Sequence, residues 1–297
     1  MTNTTKYKFA ILGGDGRQAV IASGLAQKGH RVSCFGVDGK LIPISGCEIC
    51  TNVDKAMSGA DFAILPLPVS KDRFHISSVS QKIELGEIGR LAQKNGSLLL
   101  GGMVPFELHR ICKELNVEIT DYYTRESLQI KNALPSAEGS LMIAMEHTDT
   151  TVQGMRALVC GYGRIGKILA QLLRKLGASV TVAARRDETL CEIGMSGFDP
   201  VKIDSSNALS KASECDVIFN TVPNIIFTER IVKNIKNSPL YIEIASAPGG
   251  IDVSAARDVG IEIIYAPSLP GRYAPRSAGS YVLETIYEIL SERGIDL

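Results

Sequence analysis

The chain has 297 residues, 45% of them hydrophobic, with 32 basic residues against 32 acidic ones and seven cysteines. That length predicts about two domains, and the apolar content supplies a core for each. The balanced charge excludes a global field for nucleic acid or an anionic membrane, no run approaches the roughly 18 apolar residues of a membrane span, and an odd set of scattered cysteines reads as reduced thiols rather than a disulfide framework.

The opening residues Met1–Tyr7 are polar and carry neither the basic nor the apolar region of a secretory signal, so a cytoplasmic protein is expected. Apolar runs at Tyr7–Leu12, Arg31–Phe35, Phe62–Leu65, Ser97–Leu100 and Val117–Thr120 predict strands. They alternate with a helical segment ending at Gln27 and with helices over Glu87–Lys94 and Pro105–Leu115, which predicts a parallel sheet covered by helices. The first strand runs into Gly13-Gly14-Asp15-Gly16-Arg17-Gln18, whose glycine spacing is not that of a dinucleotide site and whose Asp15 would repel a pyrophosphate. This half is therefore read as the substrate and catalytic domain. Cys47-x-x-Cys50 lacks the second ligand pair of a metal site, and His30, His75 and His109 stand in no motif.

Ser136–Thr148, with apolar residues at Leu141 through Met145, predicts a connecting helix. The stretch that follows, Arg156 to Arg186, is the most informative of the chain. Gly161-x-Gly163-x-x-Gly166 comes directly after the apolar run Ala157–Cys160 and opens a segment with apolar residues at Ile165, Ile168, Leu169, Leu172, Leu173 and Leu176, a helical spacing. Gly161 permits the tight turn, Gly163 lets backbone approach a pyrophosphate, Gly166 lets helix and strand pack closely, and the N–H groups of the helix start, from Arg164 and Ile165 on, face the phosphates. The next strand, Ser179–Ala183, leads to Ala184-Arg185-Arg186 where an NAD-specific site carries a carboxylate. Two guanidiniums there match a 2′-phosphate, so NADP is expected over NAD.

Strands at Pro200–Ile203, Asp216–Asn220, Tyr241–Ile244 and Glu262–Tyr265 complete a six-strand set, and the amphipathic pattern Ala278–Ser291 predicts a helix that returns to the first domain. The expected fold is α/β, with two doubly wound, Rossmann-like parallel-sheet domains: residues 1–134, with 276–297 packing back on them, and a cofactor domain over 135–275 that includes the connecting helix. Two crossings between the halves predict a hinged cleft. Ligands in open α/β sheets bind outside the carboxyl ends of strands, where Thr221-Val222-Pro223 would bound the nicotinamide ribose. Arg272 and Arg276, read as flanking a loop Tyr273-Ala274-Pro275, would hold a dicarboxylate with Arg17 as a third cation. His147, Asp149, Glu138 and Asp15 are the candidate proton acceptors, with His147 first because imidazole titrates near neutrality. No Ser-His-Asp arrangement and no metal-ligand spacing is visible.

Gly13-Gly14-Asp15-x-Arg17-Gln18, Leu134-Pro135-Ser136-Ala137-Glu138-Gly139-Ser140 with His147-Thr148-Asp149, and Leu269 through Gly279 together resemble the family of dipicolinate synthase A-subunits. The likeness spans nearly the whole chain, and more distantly the plan is similar to alanine and D-2-hydroxyacid dehydrogenases. It implies NADP-dependent oxidation of dihydrodipicolinate to dipicolinic acid during sporulation, in the cytoplasm of the mother cell, with a flavoprotein-like B-subunit as partner; self-association stays open. The family often has Ser-Arg-Pro-Gly-Gly where this chain has Ser246-Ala247-Pro248-Gly249-Gly250, so no arginine role carries over to that loop. Alternative readings are a cofactor-binding assembly or regulatory subunit of that synthase, and an amino-acid or 2-hydroxyacid dehydrogenase, whose catalytic lysine or histidine–carboxylate pair the sequence does not display.

Overall fold

A computed structural model describes residues 5–40, 43–79, 81–203 and 211–297; Met1–Thr4 of the polar opening lie outside the described residues. In the first half, strands β1 (Lys8–Leu12), β2 (Arg31–Phe35), β3 (Glu48–Ile49), β4 (Phe62–Ile64), β5 (Leu98–Gly101) and β6 (Ile119–Asp121) form one sheet in the order β3-β2-β1-β4-β5-β6, with every pairing parallel. In the second, β7 (Arg156–Cys160), β8 (Ser179–Ala184), β9 (Asp199–Lys202), β10 (Val217–Asn220), β11 (Leu240–Glu243) and β12 (Ile263–Tyr265) repeat the plan as β12-β11-β10-β7-β8-β9. Both are doubly wound, and the chain reverses its direction of growth between β1 and β4 in one sheet and between β7 and β10 in the other.

The central strands are apolar throughout because helices cover both faces of each sheet. Along β1, Ala10 and Leu12 enter one buried layer while Phe9 and Ile11 enter the other. Along β7, Ala157 and Val159 divide from Leu158 and Cys160 in the same manner. This is the period of two that opposite-pointing side chains impose.

The chain divides into two compact units, Met1–Asn132 with Ala274–Leu297, and Ala133–Tyr273. The boundary falls inside a single helix, α5 (Glu126–His147), which begins ten residues before the predicted Ser136 and runs through Pro135. A proline inside a helix removes a donor and crowds the preceding turn. Burial of Leu128 and Ala133 before it, and of Ala137, Ile143 and Ala144 after it, carries the helix across. β3 and the helices over Val53–Met57, Asp187–Met195, Glu229–Val232 and Val253–Asp258 were not expected from the sequence. The supposed loop at Tyr273–Pro275 is also corrected: Leu269–Tyr273 is helical, Ala274 alone breaks the chain, and Pro275 opens the closing helix Pro275–Ser291 at a position where its missing N–H costs nothing. Among the described residues no helix is long and apolar enough to cross a membrane.

The closing helix packs on α1 (Gly16–Gln27), burying Val282, Ile286, Ile289 and Leu290 with Ile21, Ala22 and Leu25. Gly279 sets how closely the two helices approach: a Cβ there would stand 2.7 Å from Val20 Cβ and 2.8 Å from the Arg17 carbonyl oxygen. Gly279→Ala is therefore expected to force the helices apart and lower stability by about 1–3 kcal/mol, the usual cost of overpacking. Denaturant unfolding of the purified variant checks this.

Candidate functional site

The fingerprint glycines sit at the β7–β10 reversal. Gly161 has φ +97°, a left-handed conformation that favours glycine, and its N–H donates to the Ala183 carbonyl at 2.8 Å. A Cβ on it would run into Thr221 Oγ1 and stand 3.0 Å from Val222. Gly166 lies so close under the turn that a Cβ would meet the Gly161 carbonyl oxygen. Gly163, by contrast, is exposed, and a Cβ there would point into open space. It is the N-cap of α6 (Arg164–Lys175) and supplies no side-chain hydrogen bond to the helix start. The positive dipole end of α6 thus starts at a glycine whose Cβ position is open among the described residues, which fits the pyrophosphate of a dinucleotide.

Thr221 closes the other side of the turn, its N–H and Oγ1 both donating to the Cys160 carbonyl, at 2.9 and 2.8 Å. Val222 lies beside it and Pro223 is exposed. Ile165 packs against the core below. Arg185 follows β8, the strand next to β7, and is exposed with no ion-pair partner among the described residues. Arg186 is exposed too and lies 3.5 Å from Glu188 Oε1. Gly161, Gly163, Arg164, Ile165, Gly166, Thr221, Val222 and Arg185 therefore gather at the carboxyl edge of one sheet.

The other residues singled out from the sequence lie elsewhere. His147 ends α5 with Nδ1 3.7 Å from Glu262 Oε1, and Glu262 immediately precedes β12. That is the amino edge of the sheet, opposite the fingerprint, so His147 does not stand beside these loops. Arg272 is exposed, with Nη2 donating to the hydroxyl of Tyr273 at 3.3 Å, and Arg276, in the other unit, is exposed. Arg17, expected as a third cation for the substrate, is buried and already paired: Nε and Nη2 donate to Asp15 at 2.9 and 2.8 Å, and Nη2 also donates to the Leu67 carbonyl. Burial works against the Asp15 carboxylate, but the hydrogen bonds and charge of Arg17 outweigh it and hold its pKa below the ordinary value. Asp15 is also the N-cap of α1, accepting from the Arg17 N–H at 3.1 Å. The first unit thus fills with its own carboxylate the position that the second leaves open.

One buried group escaped sequence reasoning because it ends an otherwise apolar strand. Glu243, 3% exposed, takes hydrogen bonds on Oε1 from Asn220 Nδ2 (2.7 Å) and the Ala245 N–H (3.1 Å), and on Oε2 from the Gly250 N–H (2.7 Å). Asn220 in turn donates to the Val222 carbonyl and accepts from the Val222 N–H. Glu243 therefore fixes the turn that bounds Gly161 and the loop after β11 together. Burial pushes its carboxyl pKa up despite these donors. The folded state then holds the proton more tightly than the unfolded chain, so this group's contribution is complete below its unfolded pKa and fades as pH rises through the folded one. Glu243→Gln is expected to turn an amide NH2 toward one set of donors and cost about 1–3 kcal/mol, while removing that pH-dependent part of stability. Unfolding curves over a pH series, for parent and variant, read both effects.

The similarities to known proteins follow the same division. Residues 8–123 match the family described as the N-terminal domain of the dipicolinate synthase A-subunit, and residues 135–272 match the S-adenosyl-L-homocysteine hydrolase, NAD binding domain. The chain is 28% identical to the dipicolinate synthase A-subunit of Bacillus subtilis over 97% of both proteins. The crystal structure of that protein superimposes with a TM-score of 0.83 over 97% of each chain. The A-subunit structure from Bacillus halodurans does so at 0.82, with 29% identity, covering 97% of this chain and 99% of that one. One part of the chain thus matches the N-terminal domain of that protein and another an NAD-binding domain, and over its whole length the chain is similar, in sequence and in space, to dipicolinate synthase A-subunits.

Proposed function

We propose that this chain oxidises dihydrodipicolinate to dipicolinic acid with NADP as the dinucleotide, as part of a dipicolinate synthase completed by a flavoprotein-like B-subunit, in the cytoplasm of the mother cell during sporulation. The observation that carries the reading is the start of α6 at Gly163, without a side-chain cap, and Arg185 exposed at the end of the neighbouring strand with no ion-pair partner among the described residues. When bound, the nicotinamide supplies a hydride acceptor.

The chain's own residues hold and shape that site. The backbone from Gly161 to Gly166, including Arg164 and Ile165, takes the pyrophosphate. Arg185, with Arg186 beside it, takes the 2′-phosphate, and Thr221, Val222 and Pro223 bound the nicotinamide ribose. Arg272 and Arg276, each exposed, are the proposed carboxylate contacts, and the buried Arg17 orders the loop that carries Asp15. A cofactor-binding subunit that leaves the redox step to its partner is the competing reading, favoured by the place of His147 beside Glu262 at the amino edge of the sheet.

Purified chain, alone and with the B-subunit, is expected to reduce NADP+ on addition of freshly made dihydrodipicolinate. Turnover without the B-subunit discards the competing reading, and inactivity of both preparations discards the proposal. Arg185→Ala should weaken NADP(H) binding about tenfold or more, from the loss of a charge-assisted bond of roughly 1.5–3 kcal/mol, while NAD(H) binding barely moves; calorimetry with each cofactor decides. Arg272→Ala and Arg276→Ala should each weaken dipicolinate binding while NADP affinity stays within about threefold, and unchanged dipicolinate affinity in both would move the carboxylate contacts elsewhere.

A further inference from the structure

The loop after β4 carries a histidine–carboxylate pair that no sequence motif announces. It leaves the sheet at the β1–β4 reversal of the first unit, where open α/β sheets take their ligands. It is tied to its surroundings on three sides: the Gly14 N–H donates to the Ser77 carbonyl at 2.6 Å, the Val69 N–H to the Gly102 carbonyl at 2.8 Å, and Arg17 Nη2 to the Leu67 carbonyl at 2.5 Å. Lys71 of the same loop lies near enough to Asp15 for its charge to lower that carboxyl's pKa.

Within the loop, Asp72 turns its carboxylate back on the chain. Oδ1 accepts from the N–H groups of Phe74 (2.9 Å) and His75 (2.8 Å) and from Ser70 Oγ (3.2 Å), and Oδ2 stands 2.7 Å from His75 Nδ1. Hydrogen bonds from the His75 backbone and ring, and then from Phe74, hold the Asp72 carboxyl well below the usual range. The turn that achieves this needs a left-handed residue, and Arg73 supplies it at φ +71° with its N–H on Ser70 Oγ, although arginine does not favour that region. An ionised carboxylate only accepts, so Nδ1 must donate. Neutral His75 therefore carries its hydrogen on Nδ1 and leaves the Nε2 lone pair free. Nε2 has no hydrogen-bond partner among the described residues, and the side chain is 32% exposed.

We propose that Asp72 and His75 form the proton-accepting pair of the reaction, with His75 Nε2 as the base and Asp72 as the residue that fixes its tautomer and stabilises the imidazolium. The inference rests on the oxidative reading above. A C–H bond of the dihydropyridine ring breaks, its electron pair becomes the new ring double bond, and the proton passes to Nε2. The hydride that completes the two-electron oxidation leaves the adjacent ring carbon for the oxidised nicotinamide dinucleotide, the co-reactant. The exposed Lys71 provides a cation for a substrate carboxylate in the same loop.

The test uses the full chain with its imidazole nitrogens labelled with 15N. Expected is the Nδ1–H tautomer of His75, with its ring signals displaced on saturation with dipicolinate. Asp72→Asn should move the ring toward the Nε2–H tautomer. His75→Gln should lower turnover by about 100-fold or more with NADP affinity unchanged, which also shows that the variant is folded. Ring signals that stay in place at saturating dipicolinate overturn the proposal, as does a His75→Gln variant that turns over like the parent. If the parent shows no turnover, the oxidative reading fails on its own account, and the ring signals still decide whether the pair meets the pyridine dicarboxylate.

Discussion

Every helix begins with N–H groups that have no partner inside the helix, and the two halves of this protein answer that requirement in opposite ways. Both halves have the same strand order, and in both the first strand runs through a glycine turn into a helix at the point where the sheet reverses. At α1 the carboxylate of Asp15 caps the helix and is itself held in a fork by the buried guanidinium of Arg17. At α6 the cap is Gly163, which has no side chain to offer and whose Cβ position is open among the described residues. One fold thus yields a terminus already supplied with an anion and one that requires an anion from outside. Function is a property of the site and not of the fold; here the difference is one carboxylate.

Keeping the open terminus usable demands rigidity around it, since a pyrophosphate is bound through backbone groups whose positions no side-chain adjustment can correct. Gly161 and Gly166 fix the turn by close approach, and Thr221 closes over it. Beneath Thr221, Glu243 and Asn220 replace what would otherwise be ordinary apolar packing with directed hydrogen bonds. A buried carboxylate is costly unless its oxygens are matched. Three donors at 2.7 to 3.1 Å match these, so the arrangement specifies a single geometry for two loops at once.

The sheets were legible from the sequence because strands covered on both faces must be apolar along their length, and the runs around Ala157–Cys160 and Phe62–Leu65 are. β3 was not, since its two residues are both exposed. α5 was half legible: Pro135 signals a stop, and only the burial on either side of it shows that the helix continues. The segment Leu269–Tyr273 contains Pro270 and Gly271 and so reads as a loop, yet it folds as a helical turn. At the candidate site the glycines and Arg185 declared themselves through spacing. Glu243 and the Asp72–His75 contact did not, because the first depends on which strand end faces which, and the second on a left-handed arginine that no local preference predicts.

The motifs that carry the family likeness owe much of their character to packing. Gly139 of the linker motif lies where a Cβ would stand 3.0 Å from the Tyr273 ring and 3.2 Å from Leu269, so the linker and closing motifs meet within the second unit. Gly279, at the end of the closing motif, is the contact of the last helix with α1 in the first. Close helix approach tolerates no added methyl group and leaves little choice of residue, which makes such positions distinctive in a sequence without making them chemical. A reacting pair is subject to a different constraint. Asp72 and His75 need only a turn that brings a carboxylate to one ring nitrogen and leaves the other exposed, and the residues around them can vary so long as that turn survives. The positions easiest to read in such a chain are therefore those that hold it together, and the chemistry is found by asking which polar groups the packing leaves facing outward at a strand end.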